Sequence, residues 1–115
     1  PSAPSSRALA ASAGVSALAL TFSRRCWSDP EVYRLEKQAI FGRNWLFLGH
    51  ESQIPQPGAF VQAFMCETPV ILSRGEDGGI HTLVNSCSHR GLPVCRADHG
   101  NTRRFVCPYH NWSYS

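Results

Sequence analysis

The sequence has no apolar run that approaches the ~18 residues needed for a membrane-spanning helix, so no segment of it is expected to span a bilayer. It also lacks the compositional biases of collagen, of a coiled coil and of a highly charged disordered chain, because 43% of its residues are hydrophobic and 17% are charged. What is left is an ordinary globular composition in 115 residues, enough for one small domain or for part of a larger one.

Acidic residues are absent from the first 25 positions, which carry three arginines. Bases and acids balance over the rest of the chain, so the net charge of +3 gives no indication of a nucleic-acid surface. We interpret residues 1–26, rich in Ala and Ser, as a disordered or non-native leader, with an organellar or export signal as the alternative. Because the chain begins with Pro1 and its single methionine is Met65, we expect a processed form or a fragment.

The cysteines are few and odd in number, which argues against a disulfide framework. Five thiols cannot all pair within one chain, and the count fits a reducing compartment with metal-ligating thiolates better. They are Cys26, Cys66, Cys87, Cys95 and Cys107.

Residues 27–43 carry the start and stop signals of one helix. Asp29 is a capping residue, Pro30 suits the first helical turn, and apolar residues then recur at helical spacing as far as Ile40. Gly42 can end the helix. These signals predict a helix over residues 30–41.

From residue 44 to residue 115 the pattern changes to short strands separated by turns, which predicts a mainly β domain. The turns are expected at the Pro-rich segment 55–58 and at the Gly-rich segment 75–79. The apolar runs that predict strands are residues 45–48, 59–64, 70–72, 80–84 and 105–106.

Two short segments each combine a cysteine with a histidine: CSH at positions 87–89 and CPYH at positions 107–110. Thiolate and imidazole both bind transition metals. Structural zinc sites typically pair the two cysteines closely and then the two histidines, and a Cys and a His one residue apart would chelate a single ion in a cramped way. A two-iron cluster avoids this, because the cysteines can bind one iron and the histidines the other, as in a Rieske [2Fe–2S] centre. The spacing favours the cluster and leaves a zinc-binding interaction module as the alternative.

Residues 85–114, NSCSHRGLPVCRADHGNTRRFVCPYHNWSY, resemble the Rieske segment of the large (alpha) subunits of ring-hydroxylating oxygenases. Shorter stretches upstream resemble the same family: DPE at 29–31, IFGRNW at 40–45, GHESQIP at 49–55 and PVIL at 69–72. The ligand motif is specific for a Rieske centre, and the helix and tryptophan that precede it narrow the resemblance to the oxygenase branch. The implied fold is a domain of antiparallel sheets with two cluster-binding loops.

The resemblance implies that Cys87 and Cys107 bind one iron of a [2Fe–2S] cluster and that His89 and His110 bind the other. It implies no catalytic residue in this chain. Asn111 departs from the family, which usually has glycine directly after the second histidine. Because Asn follows Gly in its tolerance of a left-handed backbone, we expect a positive φ at Asn111 and a site that is kept but somewhat altered.

The residues of the two expected cluster-binding loops also bear on the reduction potential. Arg90, Gly91 and Pro108 would shape them, and Trp112 would pack beneath the cluster. The positions near Leu92 and Tyr109, where respiratory Rieske proteins carry two disulfide-bonded cysteines, hold no cysteine. The resemblance therefore implies no bridging disulfide and a midpoint at the low end of the Rieske range of about −150 to +300 mV.

In this family the Rieske domain takes electrons from a ferredoxin or reductase and passes them to a mononuclear non-haem iron that hydroxylates aromatic rings. We expect the ligands of that Fe(II) only downstream of Ser115, together with the last Rieske strands, which would make the chain an N-terminal fragment. The resemblance implies a beta subunit and a homotrimer in the full-length protein, a cytoplasmic location, and no nucleic-acid or membrane partner. The alternative is a stand-alone Rieske-type ferredoxin, which would not need the helix at 30–41.

The remaining candidate side chains have simpler interpretations. Cys95 is expected to act as a small hydrophobe, and Arg103 and Arg104 as a solvated pair rather than a contact for an acidic redox partner. His99, beside Gly100, is expected in a solvated turn. No second ligand at short spacing and no partner motif accompanies Cys26, Cys66, His50 or His81.

Overall fold

The computed structural model describes residues 23–115. The chain divides between Leu46 and Phe47 into two compact units. Most of the predicted leader, up to residue 22, lies outside the described residues, and its last residues, Arg25 and Cys26, belong to the first helix.

The N-terminal unit contains two helices joined at Asp29: α1 spans Arg25–Ser28 and α2 spans Pro30–Ala39. The Asp29 side chain accepts a hydrogen bond from the Glu31 N–H at 3.0 Å, as expected of the capping residue. The Arg25 guanidinium, and after it the Glu31 N–H, hold the pKa of Asp29 below its ordinary value. The helix ends at Ala39 rather than at residue 41, because a 3₁₀ turn over Phe41–Arg43 tightens the backbone there.

The C-terminal unit contains two antiparallel sheets. The larger has the strand order β3-β2-β1-β4, and the smaller consists of β5 and β6. The strands are β1 Ala59–Met65, β2 Thr68–Arg74, β3 Ile80–Val84, β4 His99–Asn101, β5 Phe105–Val106 and β6 Ser113–Tyr114.

Tight hairpins set the register of the larger sheet. β1 and β2 pair with Met65 opposite Thr68, so only two residues form their turn. β2 and β3 meet across the predicted glycine-rich turn, where the Gly75 N–H donates to the Gly79 carbonyl at 2.8 Å. The hairpin predicted at the glycine-rich turn is therefore confirmed, whereas the tight turn between β1 and β2 was not predicted. The strand predicted over 80–84 has the predicted bounds, and those predicted over 59–64 and 70–72 extend one to two residues further.

The core of the C-terminal unit comprises two clusters of buried side chains. One contains Phe60, Ile71, Cys95 and Phe105, and the other contains Ile54, Ala59 and Leu72. Ile54 and Ile71 are fully buried, and burial of each side chain contributes about 1.5–3 kcal/mol. Cys95 thus lies in the core, in agreement with its interpretation as a hydrophobe.

Two expectations about strands were wrong. Residues 45–48 form no strand, because no strand within residues 23–115 pairs with them, and Trp45 and Phe47 are exposed. His99 lies not in a turn but in β4, where it pairs with Val61 of β1. Its exposed His-Gly-Asn sequence carries no strand periodicity, so only pairing with β1 reveals the strand. Within residues 23–115 no helix is long and apolar enough to cross a membrane.

Candidate metal centre

The two predicted ligand segments fold into loops with the same backbone frame. In the first loop, residues 87–92, the Cys87 N–H donates to the Leu92 carbonyl at 2.7 Å and the Gly91 N–H to the Cys87 carbonyl at 2.7 Å. In the second loop, residues 107–112, Cys107, Trp112 and Asn111 make the equivalent bonds at 2.7 and 3.0 Å. The two similar sequence segments thus adopt the same backbone conformation.

The fifth residue of each loop adopts the left-handed backbone region. Gly91 has φ 74° and Asn111 has φ 59°. The positive φ expected at Asn111 is therefore present, and its counterpart in the first loop is a glycine. An asparagine is somewhat strained at a positive φ and a glycine is not, because asparagine carries a Cβ.

The two loops place like side chains together. The Cys87 and Cys107 thiols are both buried, and they lie close enough for the Cys107 side chain to help lower the pKa of Cys87. The imidazole rings of His89 and His110 lie edge to face with 4.7 Å between their centroids, and both residues are exposed. The centre therefore has a buried thiol pair and an exposed imidazole pair.

Tyr114 links the two loops. It belongs to β6, which follows the second loop, but its hydroxyl accepts a hydrogen bond from the Ser88 N–H at 3.0 Å and donates to Cys87 Sγ at 3.1 Å. This hydroxyl is the main group that lowers the pKa of the Cys87 thiol, against burial, which raises it; the backbone N–H of His89 also lowers it. The thiolate that a metal requires is thereby favoured.

Aromatic rings surround the imidazole pair. The Trp112 indole stacks on the His89 imidazole with a centroid distance of 5.2 Å and an interplanar angle of 8°. Tyr109 contacts His110 with its centroid 4.0 Å away, and the Arg90 guanidinium lies 5.9 Å from the Tyr109 centroid. These contacts restrict the rotation of both imidazoles. The structure places Trp112 against the His89 imidazole, and its packing beneath a cluster stays a prediction.

The arrangement of donors fits a two-iron cluster. In the described part of the chain, no three His, Cys, Asp or Glu side chains converge as on a single metal ion. The four predicted ligands occur instead as one pair of thiols and one pair of imidazoles. A Rieske [2Fe–2S] centre uses donors of these types, two Cys on one iron and two His on the other, so the residues present fit that cluster.

The other candidate side chains lie elsewhere. His50 caps the 3₁₀ helix Glu51–Gln53 through its Nδ1, and His81 faces Asp77 with 3.4 Å between Nε2 and Oδ1. Arg103 and Arg104 are both exposed, as expected, and the Arg103 Nε also lies 3.0 Å from Glu76 Oε1.

Sequence reasoning missed two residues that support the loops, Tyr114 and Asn85. Nothing in the sequence around Tyr114 indicated its long-range contact with the first loop. Asn85 did give one, since it is a polar residue directly after an apolar strand and two positions before Cys87.

Comparison with known families gives a match over residues 44–115 to the Rieske [2Fe-2S] domain. Among curated proteins, the chlorobenzene dioxygenase subunit alpha of Cupriavidus sp. (strain PS12) is 46% identical over 90 residues. The biphenyl 2,3-dioxygenase subunit alpha of Rhodococcus jostii (strain RHA1) is 47% identical over 90 residues. Each alignment covers 78% of this chain and 20% of the relative, so the chain spans about a fifth of the length of these relatives.

A solved structure shows the same fold. The naphthalene 1,2-dioxygenase from Rhodococcus sp., crystallised with bound indole, superposes with a TM-score of 0.73 at 50% sequence identity. The superposition covers 76% of this chain and 20% of that one.

Proposed function

The chain belongs to the Rieske [2Fe–2S] domain family, and from that premise we propose that it is the electron-transfer part of an aromatic-ring-hydroxylating dioxygenase alpha subunit. The observation that carries the proposal is the pairing of the two thiols and of the two imidazoles on loops of identical frame. When bound, a [2Fe–2S] cluster accepts and releases one electron at a time. The relatives' names supply the oxygenase context.

The side chains proposed to hold the cluster are Cys87 and Cys107 on one iron and His89 and His110 on the other. The buried thiols keep one side of the centre away from water, while the exposed imidazoles bring the other side to the surface. An exposed edge is where an electron can leave or enter over a short distance. Trp112 and Tyr109 hold the imidazoles in place for that exchange.

The wider assignments follow from the same proposal. The electrons would come from a ferredoxin or reductase and serve a mononuclear non-haem Fe(II), which in this family sits in a separate catalytic domain. The same proposal includes a beta subunit, a homotrimer and a cytoplasmic location for the full-length protein. The stand-alone ferredoxin is less well supported, because both curated relatives named above are dioxygenase alpha subunits.

The test is to load the chain anaerobically with ferrous iron and sulfide and to measure metal content, acid-labile sulfide, electron paramagnetic resonance and midpoint potential. We expect two irons and two sulfides per chain, a rhombic signal on reduction, and a midpoint near the lower end of the range of about −150 to +300 mV. Zinc in place of iron would overturn the cluster assignment. A midpoint well above zero would overturn the oxygenase assignment while leaving a Rieske centre.

A further inference from the structure

The first loop connects strands that are not neighbours. The connection that contains it, residues 85–98, follows β3 and leads to β4, which are the two opposite edges of the sheet. Residue 85 is the entrance of this connection, and residues 94–98 are its exit. The second loop connects β5 and β6, which pair directly, with Val106 opposite Ser113 at its base. Strand pairing therefore joins the two ends of the second loop directly to each other. The two ends of the first loop bond to the sheet separately, the Asn85 N–H to the Pro69 carbonyl at 2.9 Å and the Gln62 N–H to the Asp98 carbonyl at 2.7 Å.

A buried asparagine stands at the entrance of the first loop. Asn85 is 2% exposed, and within residues 23–115 it is the one polar side chain that is buried. Its Oδ1 accepts hydrogen bonds from the N–H groups of Val94 and Cys95, both at 3.0 Å. Its Nδ2 donates to the Cys95 carbonyl at 2.8 Å and to Gln62 Oε1 at 2.9 Å. The amide thus makes the four hydrogen bonds of which it is capable.

Gln62, in the middle of β1, extends this network to the exit of the loop. Its Nε2 donates to the Ala97 carbonyl at 2.8 Å, and its backbone N–H donates to the Asp98 carbonyl at 2.7 Å. The backbone around residues 94–97 belongs to no strand, so these side-chain amides supply partners that a ladder would otherwise supply. Entrance and exit are consequently bound to the same point of the sheet.

We propose that the Asn85–Gln62 amide pair is the positioning unit of the first loop, which fixes the place of Cys87 relative to Cys107. Asn85 precedes Cys87 by two residues, so a displacement of its backbone would be transmitted almost directly to the thiol. The pair does for the first loop what the β5–β6 ladder does for the second. This role rests on the proposed function, since it concerns the place of a cluster ligand.

The experiment measures how long the cluster survives a chelator in the iron-loaded chain, together with the visible circular dichroism of the oxidised cluster. Asn85→Ala is expected to shorten the half-life about 10-fold, the loss typical of removing a group that orients a metal ligand. Gln62→Leu should shorten it in the same direction and alter the dichroism. If the two residues act as a unit, the double variant should lose little more than Asn85→Ala alone.

Two further variants separate positioning from loss of stability. Ile54→Val removes a buried methyl group from the core cluster with Ala59 and Leu72 and should leave both the half-life and the dichroism unchanged. Asn85→Asp retains the acceptor for the Val94 and Cys95 N–H groups, and should recover part of the half-life lost in Asn85→Ala. If Asn85→Ala does not fold, the Gln62→Leu comparison with Ile54→Val decides the matter.

The outcomes distinguish the two proposals. Half-lives and dichroism in Asn85→Ala and Gln62→Leu that match those of Ile54→Val would overturn the positioning role and leave the cluster assignment intact. A wild-type chain that takes up no iron and sulfide would overturn both.

Discussion

The two loops of the centre share one backbone frame but are held in different ways. The second loop is a local structure, since its base is the short ladder of β5 and β6. The first loop depends on groups distant in sequence: Gln62 of β1 through Asn85, and Tyr114 of β6. The difference shows that two similar ligand motifs can need unlike support, because one connects neighbouring strands and the other connects opposite edges of a sheet.

The largest effect is expected from removing a cluster ligand, and the loss of the cluster should be equally severe for either loop. His110→Ala and His89→Ala should each abolish the assembled cluster, since one iron would keep a single protein ligand. Visible absorption and iron content after anaerobic loading measure this. His99→Ala, a change at an exposed histidine of β4, is the control and should keep the cluster. Unchanged absorption in either ligand variant would show that the histidine is wrongly assigned.

The left-handed residue of the first loop provides the next test. Gly91→Ala should lower stability by about 1–2 kcal/mol, because an L-residue is strained at φ 74°. Steric crowding adds little, since the nearest atom to the new Cβ would be Ser86 Oγ at 3.8 Å. Thermal unfolding of the loaded chain measures the loss. A melting temperature equal to the wild type would mean that the loop relaxes to another backbone conformation.

Tyr114 tests the link between the loops. Tyr114→Phe removes the hydrogen bond to Cys87 Sγ and the acceptor for the Ser88 N–H. A hydrogen bond to a ligating sulfur stabilises the more negative, reduced state. Its removal should therefore lower the midpoint by on the order of 60 mV, a tenfold change in a one-electron equilibrium. Tyr109→Phe, whose ring contacts His110, is the matched control. A midpoint that rises or stays constant in Tyr114→Phe would contradict the assigned role.

The smallest effect is expected at the left-handed residue of the second loop. Asn111→Gly should be neutral or stabilise the chain by less than about 1 kcal/mol, because relief at φ 59° is offset by the greater freedom of glycine in the unfolded chain. Asn111→Ala should destabilise it, because Ala tolerates this region less well than Asn. The melting temperatures of the two variants measure both stability changes. Marked destabilisation by glycine would reveal a specific role for the asparagine side chain.

Much of the fold was predictable because its signals are local. Asp29 and Pro30 marked the start of α2, and the glycine-rich turn at 75–79 marked the β2–β3 hairpin. Strand β4 and the strand wrongly expected at 45–48 were not predictable, because each depends on whether a partner strand is available. Hydrophobicity alone could not distinguish the exposed Trp45 from a strand residue.

The sequence by itself determined the chemistry of the centre: which four side chains are offered, at what spacing, and where Asn111 must adopt a positive φ. Those properties follow from residue type and from short stretches of backbone. The pairing of cysteine with cysteine and of histidine with histidine was also expected from the sequence. The tertiary structure alone decided that the thiols are buried and the imidazoles exposed, that Tyr114 reaches Cys87, and that Asn85 and Gln62 close the first loop. The reason is physical: these contacts join residues as much as 35 positions apart, and only the pairing of the strands brings such residues together.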